Sequence, residues 1–232
     1  MREKLAILVS GGGTTMAEII KAQQSGRLDL DIACVISSRP DAGGLKKAQK
    51  LNIPEENILV VEPKPRITFG QRLLEELQSR GVTTVSQNGW LPLTPTEVID
   101  AYSNKIFNQH PGNPNNFGGK YMYGLTVHQA AINYFKATGE EPNTYMTIHR
   151  VIPNIDEGQI IKYTPVKILS DDTAKSLQER SLPVEHETVI KFLEDLVNDN
   201  IKEINLPKIT DPQKIEILNK CRQDAINMHL ND

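Results

Sequence analysis

The chain has little cysteine, no long apolar run and no excess of either charge, and each shortage narrows what it can be. Two cysteines among 232 residues cannot build a disulfide framework or a thiolate metal cluster. Cys34 lies inside the apolar run 31–36 and is expected as a small buried hydrophobe. Cys221 lies in the charged C-terminal segment and is expected as a free surface thiol. A reducing cytoplasm is the expected compartment. No apolar stretch approaches the roughly 20 residues of a membrane span. The first apolar run is too short for a signal-peptide core and reads as a strand. A net charge of −3, from 26 basic and 29 acidic residues, gives neither a basic nucleic-acid footprint nor a polybasic membrane patch. The chain also lacks internal repeats and low-complexity tracts.

What is present is an ordinary globular composition, 24 % charged and 38 % hydrophobic, at a length that suits one large domain or one domain with a tail. Short apolar runs at 4–9, 31–36, 57–61, 82–85 and 106–107 read as strands. Between them, helical spacing appears at 14–25, 43–51 and 67–80. Such alternation with short links predicts an α/β fold: a mostly parallel twisted sheet with helices on both faces. Further on come a helix near 126–136, two strands at 144–152 and 159–166 joined by the Asn-, Asp- and Gly-containing turn 153–158, and a long helix over 172–198. A helix over 211–228 closes the sequence. The division is thus a domain over 1–200 and a helical tail over 201–232.

Binding sites in such sheets gather at the carboxyl ends of the strands, and two polar motifs fall there. The first, Ser10-Gly-Gly-Gly-Thr-Thr15, joins the first strand to the first helix. Glycines let backbone N–H groups approach an anion, and a helix N-terminus favours negative charge. The loop alone fits a tight turn, a single phosphate or, with Ser37-Ser-Arg39 receiving a 2′-phosphate, NADP. A dinucleotide fingerprint wants a glycine where Met16 stands, so one phosphate is the better match. The second motif, Asn108-Gln-His-Pro111, puts an amide and an imidazole on the same side of a strand that must stop at Pro111, because proline donates no ladder hydrogen bond. Taken alone, it fits a strand end whose polar groups satisfy nearby backbone, or a site.

With these motifs in order, the chain resembles the 10-formyltetrahydrofolate-dependent formyltransferase family, over about residues 4–195, and within it the members acting on phosphoribosylglycinamide (GAR). Ser10–Thr15 is similar to the family's phosphate loop, with Thr14 and Thr15 for the usual Ser and Asn. Asn108-Gln-His-Pro111 is similar to the catalytic Asn-x-His-Pro. Thr147-Ile-His-Arg-Val151 followed by Asp156-Glu-Gly158 is similar to the strand and turn that carry the catalytic Asp. Arg180 and Glu185-His186 match an Arg and a Glu-His on the late helix. The chain departs from the family after His110, where Gly-Asn-Pro-Asn-Asn116 replaces an apolar anchor. It departs again at Gln87-Asn-Gly-Trp-Leu-Pro-Leu-Thr94, which lacks the usual arginine.

The resemblance implies a Rossmann-like formyltransferase fold, with residues 1–200 as its catalytic domain. It implies a transferase of purine and one-carbon metabolism moving a formyl group from 10-formyltetrahydrofolate to the amine of GAR. The alternatives are a sugar-nucleotide N-formyltransferase and a non-catalytic folate- or nucleotide-binding protein. Asn108, His110 and Asp156 would be catalytic, with Asp156 favouring the protonated imidazole as a donor to the oxyanion. Gly11, Gly12, Gly13, Thr14 and Thr15 would bind the substrate phosphate, and Glu185 the rest of GAR. Arg66, Trp90, Leu91, Pro92, Leu93 and Asn108 would line the folate pocket. No metal is implied, and no partner beyond the small molecules: no nucleic acid, no membrane, a monomer or a homodimer.

Overall fold

The computed structural model describes residues 2–229. They form two compact units, with boundaries that fall within two strands, at Gln109/His110 and His149/Arg150, and within one helix, at Thr188/Val189.

The first unit takes the chain up to Gln109, then Arg150–Pro153 and Val189–Ile201. It contains β1 (Lys4–Val9), β2 (Asp31–Ser37), β3 (Ile58–Val60), β4 (Thr84–Gln87) and most of β5 (Ile106–His110), all parallel, in the order β3-β2-β1-β4-β5. The helices α1 (Thr14–Gln24), α2 (Gly43–Lys50), α3 (Arg66–Ser79) and α4 (Thr96–Ala101) connect them. Leu5 to Val9 are completely buried, which is why β1 reads as an unbroken apolar run: a central parallel strand has no solvent face to mark with polar residues. Ala6, Leu8, Ile36 and Val85 pack with Phe69, Leu73 and Leu77 of α3 and Val98 of α4.

Two strands depart from expectation. β4 begins at Thr84 rather than 82, because the Val82 N–H bonds the Leu77 carbonyl and Val82 is used to close α3. β5 continues through Asn108 and Gln109 to His110, with Gln87 paired to Asn108. A strand end made of amides escapes a search for apolar runs.

The second unit holds His110–His149, Asn154–Thr188 and the chain from Lys202 on. Its strands β6 (Asn143–Arg150) and β7 (Ile160–Lys167) pair antiparallel as a hairpin. Its helices are α5 (Pro114–Phe117), α6 (Leu125–Thr138), the first part of α7 (Ala174–Val197) and α8 (Pro212–His229). Asn113 caps α5 by accepting the Asn115 N–H, and Pro114 fits the first helical position, where a missing N–H costs nothing. The core of this unit joins Phe117, Val127, Ala130, Tyr134 and Met146 to Leu218, Cys221 and Ala225 of α8. Cys221 is therefore not the surface thiol its charged surroundings suggest. It is 7 % exposed, on the apolar stripe by which α8 joins this core.

Candidate functional site

The glycine loop of the first unit is built by backbone. Gly13 is the N-cap of α1 in the left-handed region, φ 63°, and no side chain caps the helix. Glycine itself thus takes the N-cap position ahead of Thr14. Thr14 stays exposed and Thr15 is buried. A Cβ on Gly13 would stand 2.7 Å from the Gly44 Cα, whereas one on Gly11 would meet nothing within 4 Å. Gly44 donates its N–H to the Gly11 carbonyl at 3.0 Å, which clamps the loop against the start of α2. Gly11 and Gly12 face solvent at the head of α1, so their N–H groups and the helix dipole are open to an anion. The Lys47 ammonium of α2 reaches the same place, 3.9 Å from where a Cβ on Gly12 would lie. Sequence reading missed Lys47, since a lysine on a helix carries no motif.

The groups that a 2′-phosphate would need are occupied. Arg39 holds Asp41 in a two-pronged pair at 3.0 and 2.7 Å, and Ser37 Oγ donates to the Arg39 carbonyl. Ser38 Oγ lies 2.6 Å from Ser10 Oγ. The dinucleotide alternative loses its recognition groups here.

In the second unit, His110 and Asp156 come together as the motif order suggested. Asp156 occupies the turn between β6 and β7 with φ 58°, a left-handed conformation that Asp tolerates better than most residues. One carboxylate oxygen accepts the Gly119 N–H at 2.9 Å and lies 3.8 Å from His110 Nδ1. The other lies 3.4 Å from Nε2 of His149 on β6. Burial acts to raise the Asp156 pKa, but the His149 hydrogen bond, the His110 ring and the Gly119 N–H together overcome it and leave the carboxyl at about 2. Asp156 is an anion held in place on both sides.

His110 is 3 % exposed. Its Nε2 lies 3.0 Å from the Phe117 carbonyl oxygen; a carbonyl only accepts, so Nε2 carries a proton. Burial depresses the His110 pKa, and Asp156 pulls it up without compensating. Burial thus favours the neutral ring, against the pull toward imidazolium expected from Asp156, because desolvation of an enclosed ring outweighs one carboxylate at 3.8 Å. Thr147 of β6 donates to the Gly112 carbonyl at 2.7 Å, which fastens the chain just after Pro111. His149, part of the strand motif that precedes Asp156, proves to be its partner.

The remaining expected positions lie on separate elements. Asn108 is half-buried on β5, two residues before His110. Arg66 is exposed as the first residue of α3. Trp90 is 7 % exposed in the first unit's core, its ring stacked near Phe69 at 6.3 Å between centroids. Leu91 and Leu93 are more than half exposed, with Pro92 between them, and the Leu91 N–H is tied to Ser10 Oγ at 2.9 Å. Glu185 is half-buried on α7. Arg180 is bound to Asp172 at the base of α7, and Asp172 also accepts the Leu169 N–H and the Ser176 hydroxyl. Those two residues organise a helix start.

The pattern of the formyl transferase family matches residues 3–193. The chain is 34 % identical over 200 residues to the chloroplastic phosphoribosylglycinamide formyltransferase of Vigna unguiculata, across 86 % of this chain and 62 % of that protein. It thus spans less than two thirds of that relative's length. To the protein of the same name from Arabidopsis thaliana it is 31 % identical over 221 residues, across 91 % of this chain and 72 % of the relative. Among solved structures, glycinamide ribonucleotide transformylase 1 from Symbiobacterium toebii matches with a TM-score of 0.77 at 27 % identity, covering 88 % of this chain and 95 % of that one. With the strand-end Asn-x-His, the half-buried Asp156 and a family pattern that runs through both units, this chain belongs to the formyl transferase family.

Proposed function

We propose that this protein is a phosphoribosylglycinamide formyltransferase, taking the formyl group of 10-formyltetrahydrofolate and placing it on the primary amine of GAR. The observation that carries this reading is the Asp156 anion held between His149 and the neutral His110 where β5 ends. Formyl transfer forms a C–N bond to the amine and then breaks the bond to the folate nitrogen, through a tetrahedral oxyanion. Three needs follow: a donor to the oxyanion, a sink for the amine's proton, and a source of a proton for the departing nitrogen.

Asn108 supplies the donor with its side-chain amide, and one well-placed donor contributes about 3 kcal/mol in comparable sites. Asp156 and His110 take the amine's proton together. The carboxylate stabilises the imidazolium as it forms, and the burial that keeps the ring neutral beforehand makes it ready to give the proton to the departing folate nitrogen. The pair then returns to its starting state. The glycine loop, with the backbone N–H groups from Gly11 to Thr15 and the Lys47 ammonium, receives the phosphate of GAR. Glu185 receives its glycinamide portion. The exposed Leu91 and Leu93 offer apolar surface to the pterin, with Arg66 toward the glutamate tail.

Cys34 and Cys221 are both free and buried, which suits a reducing compartment, and the reading places the reaction in the cytoplasm. Among the described residues no helix is long and apolar enough to cross a membrane. The test is product analysis after incubation with 10-formyltetrahydrofolate and separate amines: GAR, GAR lacking its phosphate, and an amino-sugar nucleotide. Formylation of GAR far above the other two is expected. Formylation of the amino-sugar nucleotide alone would replace the acceptor, and no formylation of any amine would remove the enzymatic reading.

A further inference from the structure

The loop after His110 lacks the apolar residues that anchor it elsewhere in the family, so something else must hold it. Three asparagines do. The Asn115 side-chain amide donates to the Leu206 carbonyl at 2.8 Å, and those of Asn113 and Asn116 donate to the Pro207 carbonyl at 2.8 and 3.3 Å. The Asn116 side-chain oxygen in turn accepts the Ile209 N–H at 2.9 Å. Asn113 and Asn116 are each 1 % exposed. Buried amides leave little freedom once satisfied, because breaking one bond strands a polar group. From this grip the chain enters α8, which lies against α6, and Arg222 comes to the Gly118 carbonyl and donates to it from Nη2.

The Gly118 carbonyl and the Gly119 N–H are two ends of one peptide group. Arg222 bonds the first end, and Asp156 bonds the second at 2.9 Å. The adjoining peptide presents the Phe117 carbonyl to His110 Nε2 at 3.0 Å. We infer that Arg222 is a positioning residue of the formyl-transfer site: through the Gly118–Gly119 peptide it sets the carboxylate of Asp156, and the asparagine-held tail keeps it there. A peptide bonded to a cation at its oxygen and an anion at its N–H is polarised by both, so each bond strengthens the other.

Gly118 is required for the arrangement, since a Cβ there would fall 2.8 Å from the Asp156 Cβ and 2.5 Å from the Pro114 oxygen. The Arg222 charge also reaches His110, adding to the downward push that burial dominates. Residues 206–229 thereby belong to the working site, although the family pattern ends at 193. This rests on the formyl-transfer reading for its kinetic consequence but not for its geometry.

The test compares Arg222→Met, Arg222→Lys and a control, Lys214→Ala, which breaks the exposed α8 pair with Glu140 far from the peptide. In Arg222→Met, kcat should fall roughly 10-fold or more, as for other outer-shell partners of a catalytic group, with KM for GAR and Tm near parental. Arg222→Lys should recover part of the loss, and Lys214→Ala should be parental. The Gly119 amide proton, followed by NMR, should move upfield in Arg222→Met as its bond to the carboxylate weakens. Parental kcat with an unmoved Gly119 resonance overturns the inference. A fall in kcat that tracks an equal fall in Tm across Arg222→Met and Lys214→Ala reduces the tail to a structural prop, which also overturns it. Should the parent protein formylate no amine, the catalytic reading fails, and the Gly119 resonance still decides whether Arg222 orients Asp156.

Discussion

The glycine loop after β1 and the loop after β5 both gather polar groups at a strand end, yet they are made in opposite ways. The first uses backbone alone: Gly13 caps α1 with φ 63° and no side-chain help, and its clamp is Gly44, about thirty residues on. The second uses side chains whose partners are remote in sequence. Asp156 is 37 residues from Gly119, Asn116 is 93 from Ile209, and Arg222 is 104 from Gly118. A backbone site needs only glycines at the right places and tolerates much around it. A side-chain site is sensitive to every element that holds a partner, and it gains charges and titrations that backbone cannot supply.

The strongest break in that contrast is at the side-chain site itself. His110→Ala and Asp156→Asn should each lower turnover by roughly 10²-fold or more, and the double variant should cost little beyond the worse single one, because residues acting as a unit are not additive. Turnover of all three beside their thermal unfolding is the measurement. Near-parental turnover in His110→Ala would make the histidine only a strand end.

Acid sharpens the contrast next, since ionisable groups crowd the second unit. His128 of α6 is 2 % exposed, and burial lowers its pKa to about 4, with His110 adding to the push and Asp172 opposing it. A histidine depressed in the folded state binds its proton more readily when unfolded. Its stabilisation is therefore complete above about 6.5 and is lost as pH falls toward 4, about 3 kcal/mol over that span. His110 pushes in the same direction. Asp156, at about 2, adds a loss that begins only below the ordinary carboxylate range. Urea midpoints measured from pH 7 to 4 should fall steeply in the parent and less steeply in His128→Gln. Equal slopes would place the proton uptake elsewhere.

The backbone site should give the smallest effect if probed at the right glycine. Gly12→Ala adds a methyl with only the Lys47 ammonium nearby, so it should raise KM for GAR roughly 10-fold by blocking close approach to the phosphate, with Tm unchanged. Gly13→Ala puts a Cβ 2.7 Å from the Gly44 Cα at a positive φ, and there loss of stability should come first. Melting curves and KM for both variants decide it. A Gly12→Ala protein with parental KM would make the loop no more than a turn.

The amino-acid sequence by itself determined the strand–helix alternation, the glycine turn and the same-side pair Asn108 and His110. These depend on periodicity, glycine's conformational freedom and the inability of Pro111 to extend a ladder, all of which act within a few residues. It also placed Asp156 in a turn. What the sequence left unread has one cause. That Cys221 is buried, that Trp90 stacks near Phe69, that Arg39 is taken by Asp41, and that Arg180 serves a helix start are statements about which surfaces meet. Periodicity cannot see a charged helix whose narrow apolar stripe finds α6. Only the tertiary structure decided which way the His110 pKa is pushed, because desolvation depends on how completely the ring is enclosed, and Asp156 alone argued the other way. It alone decided the place of the tail, since three asparagine side chains reach backbone carbonyls some ninety residues distant. Hydrogen bonds to main-chain oxygens impose no residue type on the partner segment, so they leave no mark in the sequence there.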